Sequence, residues 1–160
     1  MPASYEVDVP LSFEQGLNIV YNDSVQDLNK DLNDLDKVSL KNAKIMLSVD
    51  NAIPLKLQLK AENVQIKDVY GNELTAVKKT MEEDKQYVTE STDGEKPATS
   101  ELVLSLTSDD TAFLSKIDRI CFKITAVPGS ATGVPLKDTQ WLKVTSVKLS
   151  VPGGVNVDLN

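Results

Sequence analysis

Apolar residues in this chain recur at every second position, and that period constrains the fold more than any other feature. Successive side chains of a β-strand point to opposite faces, so a period of two gathers one set on a single face. The pattern runs through Tyr5, Val7, Val9, Leu11 and Phe13, with polar Glu6, Asp8 and Ser12 between them. It returns at Ala43 to Val49, Leu55 to Ala61, Leu102 to Leu106 and Ile120 to Ala126. One apolar face per strand marks antiparallel sheets with water on one side. The expected fold is all-β, an antiparallel β-sandwich of immunoglobulin-like or Greek-key type. Its core is expected to hold Val7, Val9, Leu11, Ile45, Leu47, Leu57, Leu59, Leu104, Leu106, Ile120, Phe122, Ile124, Val147 and Leu149. At 160 residues, with no break in composition, the chain reads as a single sandwich domain over 1–160.

Three places interrupt the alternation. The apolar phase shifts by one residue between Ala61 and Val64, beside Glu62-Asn63, and again between Val144 and Val147, beside Thr145-Ser146. A phase shift inside a strand is what a β-bulge produces. The third place is Asn51-Ala52-Ile53-Pro54, between two strong runs. Proline cannot donate to a ladder, and no glycine is present to favour a two-residue hairpin. The favoured reading is a corner at which the chain crosses from one sheet to the other, with a hairpin as the alternative.

Helical spacing occurs once, at Val25, Leu28, Leu32 and Leu35, and predicts a short helix over 24–36 with Ser24 and Asp27 as a variant capping box. A second short turn is expected at Asp110 to Leu114, capped by Asp110. Loops are marked by Tyr70-Gly71-Asn72, Thr92 to Pro97 and Pro128 to Pro135, and the stretch from Thr89 to Ser100 reads as mobile.

The residues exclude several chemistries. The chain has no histidine and one cysteine, Cys121, so a closed zinc site and an imidazole-assisted serine or cysteine nucleophile are both out of reach. Cys121 reads as a half-buried strand residue. The acid-rich run from Asp27 to Asp36 fails as a calcium loop, because Leu32 stands where glycine is needed and Val38 where a glutamate is needed. Calcium held by Asp109 and Asp110 stays open. Gly129 to Gly133 matches no phosphate loop. Glu82, Glu83 and Asp84 are the acids a histidine-free glycosidase would draw on, though they read as a solvated face. Trp141 reads as core. A net charge of −7 opposes nucleic acid and anionic lipid. No stretch is long and apolar enough for a membrane helix, and the polar start at Met1 to Ser4 reads as no signal peptide. No catalytic, cofactor or metal residue is assigned.

The segment from Val49 to Leu59 with Asn51 and Pro54-Leu55, followed by Val64 to Val69 and Tyr70-Gly71-Asn72, is similar to β-sandwich domains of cell-surface lipoproteins from gut Bacteroidetes. The ending Val151 to Leu159 looks like the terminal strand of the same group. A looser likeness, through Asn-x-x-Pro, runs to the sandwich domain of late-embryogenesis proteins. The first resemblance implies export, a lipid anchor on an upstream cysteine and a place at the cell surface or in the periplasm. The expected function is a non-catalytic structural or binding module with an unknown protein or glycan partner. The alternative is a carboxylate-dependent glycan hydrolase.

The face assignment is open to a direct check. Phe122→Ala is expected to lose about 3–5 kcal/mol of stability by chemical denaturation, as truncation of a fully buried phenylalanine does. A wild-type denaturation curve would mean the faces of that strand are reversed.

Overall fold

The described residues form ten strands, numbered in chain order, and every pairing among them is antiparallel. The computed structural model describes residues 5–8, 20–32, 39–128, 133–151 and 155–159. One sheet runs, in spatial order, β1 (Tyr5–Asp8), β9 (Trp141–Val151), β3 (Asn42–Asn51), β7 (Ala98–Thr107) and β5 (Lys78–Met81), with β10 (Val155–Asp158) also on β9. The second runs β2 (Val20–Val25), β8 (Arg119–Ala126), β4 (Leu57–Lys67) and β6 (Tyr87–Val88). Two one-turn helices, α1 (Asn29–Leu32) and α2 (Phe113–Lys116), complete the described elements.

Between the sheets lies one apolar cluster to which both contribute alternate residues. Ile45, Leu47, Leu57, Leu59, Leu104, Leu106, Ile120, Phe122, Ile124, Val147 and Leu149 are all buried there, as the period of two requires. Val9, Leu11 and Phe13 lie outside the described residues, and of Val7 only the pairing with Leu142 is described.

Both phase shifts are ladder irregularities. Against β3, the β9 register steps from Ser146 to Val144, leaving Thr145 extra, with its hydroxyl 3.3 Å from the Ser48 carbonyl. Against β8, residues 60–63 of β4 face only Lys123, a wider flare than a one-residue bulge. In both strands the buried set changes parity, from Leu142 and Val144 to Val147 and Leu149, and from Leu57 and Leu59 to Val64 and Ile66.

The corner is a crossing, not a hairpin: β3 belongs to one sheet and β4 to the other. Asn51 is fully buried and organises the turn. Its Nδ2 donates to the carbonyls of Leu55 at 3.1 Å and Thr89 at 3.0 Å, and its Oδ1 accepts the Ile53 amide at 2.9 Å. The Ala52 amide donates to Trp141 O at 2.9 Å, and the Ile53 carbonyl accepts from Ser91 N at 3.0 Å. Pro54, which has no amide hydrogen to satisfy, sits buried in the same turn.

Several expectations are corrected. Ser24 and Val25 belong to β2 and Asp27 adopts φ 59, so among the described residues the expected helix begins only at Asn29, as α1, and Ser24 does not stand at its N-terminus. Ser24 Oγ instead accepts from Gln26 Nε2 at 3.1 Å. Residues 33–36 of the expected helix lie outside the described residues. Ala112, not Asp110, occupies the N-cap of α2, and Asp110 Oδ1 accepts the Ala112 amide one step earlier. Trp141 is half-buried, on the face of β9 opposite Leu142 and Val144. In the stretch from Thr89 to Ser100, the residues before β7 form a bonded turn and Ala98 to Ser100 begin that strand. There Ser91 Oγ accepts from Gly94 N and donates to Lys96 O at 2.7 Å, while Asp93 Oδ1 accepts the amides of Glu95 and Lys96. Gly94, at φ +75, lies so close to buried Gln140 that an added Cβ would stand 2.5 Å from its Nε2.

Asn51 yields a signed test. Asn51→Asp would turn a carboxylate oxygen toward two carbonyls, which raises the folded-state pKa of the new acid. The resulting penalty is present above the ordinary carboxylate pKa of about 4 and disappears as pH falls below it. Urea denaturation is expected to show Asn51→Ala losing about 2 kcal/mol and Asn51→Asp about 3 kcal/mol or more at pH 7. The Asp deficit relative to wild type should shrink toward pH 4. A pH-independent deficit would contradict the assigned bonds.

Candidate functional site

The flare in β4 borders an open depression on the described surface. On β8, inward Ile120, Phe122 and Ile124 leave Cys121 and Lys123 facing out. Cys121 is paired across the sheet with Ser24 of β2 and Gln65 of β4. Beside that row, residues 60–63 fall out of register opposite Lys123. The result is an open hollow of about 570 Å³ lined by Ser24, Glu62, Asn63, Gln65, Cys121, Phe122 and Lys123.

Its chemistry is that of hydrogen bonding. The lining supplies two carboxamides, a hydroxyl, a thiol, one carboxylate and one ammonium. Among the described residues Glu62 is the one carboxylate in the lining, where glycoside hydrolysis would use a facing pair of acids. Glu82, Glu83 and Asp84 lie elsewhere, in the turn after β5, with Glu82 Oε1 2.6 Å from Lys44 Nζ on the other sheet. Half-buried Cys121 is a thiol in a chain without imidazole to take its proton.

Other features surround this face. Lys56 Nζ stands 4.3 Å from the centroid of the Tyr87 ring, and Gln58 Nε2 donates to Gln86 Oε1 at 2.8 Å. At the far end of β4, the turn after Lys67 exposes Val69 and Tyr70. A second hollow of about 400 Å³, more apolar, lies on the six-stranded sheet among Asn42, Lys44, Leu106, Thr107 and Val151. Among the described residues, no group of three or more Asp, Glu and Cys side chains is placed to hold a metal ion. Asp110 is engaged with Lys116 at 2.5 Å, and Asp109 is exposed.

The sequence reading located the flare at Glu62-Asn63 and left Cys121 half-buried, yet assigned no site. The available signal was a polar pair at a phase shift, and only the pairing of β4 with β8 and of β8 with β2 shows what it adjoins.

The sequence matches neither a protein-family model nor a curated protein. Among solved structures, the chain is similar to a candidate secreted protein of Parabacteroides distasonis, with a TM-score of 0.58 and 17% identity over 86% of this chain. The chain spans 39% of that protein's length, and the likeness shows a shared β-sandwich fold. That neighbour comes from the Bacteroidetes. A family 3a carbohydrate-binding module from the scaffolding protein of Clostridium thermocellum aligns over 88% of this chain and 89% of its own, at 11% identity. Its TM-score of 0.32 carries no argument about this chain. No helix among the described residues is long and apolar enough to cross a membrane.

Two carboxylates away from the hollow are held in their charged form by hydrogen bonds. Backbone amides of Lys96 and Glu95 hold the Asp93 carboxyl below its ordinary value of 3.8, and Lys116 with the Ala112 amide does the same for Asp110. A depressed folded-state pKa contributes stability above the ordinary value, which is lost as pH falls through the lowered one. Asp93→Asn is therefore expected to melt below wild type at pH 7, and the gap should narrow between about pH 4 and pH 2. A gap that widens on acidification would contradict the assigned bonds.

Proposed function

We propose that the chain is a non-catalytic binding module of an exported protein, acting at the cell surface or in the periplasm. In this reading, one sandwich over 1–160 is attached through a lipid-anchored segment upstream. The recognition surface is the flared outer face of the four-stranded sheet, and the ligand is a neutral, hydroxyl-rich glycan. The hollow of about 570 Å³ at the β4 flare is the observation that carries this reading. A concave site with convergent polar groups is the usual form of a ligand site. Asn63 and Gln65 each offer a donor and an acceptor, which matches a hydroxyl that both donates and accepts. Glu62 and Lys123 bring one charge of each sign, so the hollow selects for neither anions nor cations. The overall charge of −7 disfavours polyanionic ligands. The fold shared with a protein more than twice as long supports a module within a larger chain.

A glycan array followed by calorimetric titration tests the proposal. Binding to at least one neutral glycan is expected, without release of reducing sugar. Gln65→Ala and Asn63→Ala should each weaken it about 2- to 10-fold, the worth of a net hydrogen bond, with unchanged melting. Binding that survives both substitutions would remove the site assignment, and release of sugar would overturn the non-catalytic assignment.

A further inference from the structure

The aromatic side chains differ sharply in what they offer a ligand. Phe113 and Phe122 are buried, Trp141 is half-buried, and Tyr87 is 37% exposed with the Lys56 ammonium over its ring. Tyr70 is 85% exposed.

The turn that carries Tyr70 is tightly bonded. Asp68 Oδ1 accepts the amides of Tyr70 and Asn72, each at 2.9 Å. The backbone closes the same loop through Asp68 N to Asn72 O at 2.9 Å and Gly71 N to Asp68 O at 3.1 Å. Gly71 takes φ +82, and apart from its chain neighbours nothing lies within 4 Å of where its Cβ would be. A ring held on a bonded turn loses little backbone freedom when it binds.

This turn ends the strand that walls the hollow. Gln65 lines the hollow, and Gln65 and Lys67 share the outward face of β4 before the chain enters the turn at Asp68. Gln65 and Lys67 are about 7 Å apart at the rise of a strand, and Tyr70 stands in the turn three residues beyond Lys67. A pyranose ring presents C–H groups on its faces and hydroxyls round its edge, so it stacks on an aromatic ring while its hydroxyls meet amides. Exposed Asn72 stands two residues from Tyr70 for that second role.

We infer that Tyr70 is a stacking subsite for a glycan chain that lies along β4, one end in the hollow and the other over the Tyr70 ring. The inference rests on the glycan-binding reading proposed above. It adds that the ligand is a polymer several units long and that affinity rises with its length.

The test titrates wild type, Tyr70→Ala, Tyr70→Phe and Gln65→Ala with disaccharide and hexasaccharide forms of cello-, xylo-, manno- and malto-oligosaccharides. In at least one series, wild type is expected to bind the hexasaccharide about tenfold more tightly than the disaccharide. Tyr70→Ala should reduce that ratio to near one and Tyr70→Phe should keep it, because the ring and not the hydroxyl stacks. Gln65→Ala should weaken both lengths. Equal affinity for both lengths, or a length dependence that survives Tyr70→Ala, overturns the Tyr70 subsite and leaves the hollow standing if Gln65→Ala still weakens binding. Failure of every series to bind wild type overturns both.

Discussion

A chain that changes sheet at almost every step must bury its crossings, and the amide of Asn51 shows how that constraint is met. From β1 to β9 each strand lies in the opposite sheet to the one before, and only β9 to β10 stays within a sheet. At the β3–β4 crossing the backbone passes through the interior, where an unpaired amide or carbonyl would be costly. One carboxamide serves three backbone groups from three places in the chain, Ile53, Leu55 and Thr89. Pro54 follows without a donor to satisfy. Gln140 plays a similar part before β9, accepting from Lys137 N at 3.0 Å and donating to Pro135 O at 3.1 Å.

The same topology makes nearly all sheet pairing non-local. The central strand β3 pairs with β7 and β9, roughly fifty and a hundred residues away along the chain, and not with either sequence neighbour. No local hairpin nucleates the four-stranded sheet, so its cohesion depends on burying the shared apolar cluster. The irregularities follow from this arrangement. Thr145 lets β9 bend while both of its halves keep apolar residues inward, and the flare at 60–63 does the same for β4. The flare then leaves polar side chains standing over the sheet, which is how a packing device becomes a hollow.

What the sequence disclosed was set by locality. Strand faces, both phase shifts and the crossing at Asn51 to Pro54 are written in residues within a few positions of one another. Val25, Leu28 and Leu32 pointed to the helix but misplaced its start, because a strand end and a residue at positive φ precede α1 at helical spacing. Trp141 misled because its size argued for the core, although its parity with Leu142 and Val144 already placed it on the other face. Ser91 and Asp93 order a polar loop through side-chain bonds to backbone that composition does not reveal. The hollow was half legible: its bulge is local, but Ser24 and Cys121 arrive only through the ladder. Tyr70 was marked as a turn residue, and its exposure depends on what the fold leaves uncovered.

The functional account therefore rests on one face of one sheet, and a spectroscopic map of that face examines it without any substitution. Backbone amide resonances of isotopically labelled protein, followed during titration with a mixture of neutral oligosaccharides, report where a ligand sits. The largest shifts are expected at residues 62–65 and 121–123, with a second set at 68–72, and a quiet six-stranded sheet. Shifts centred on the hollow near Lys44 and Thr107, or an unchanged spectrum, would contradict it.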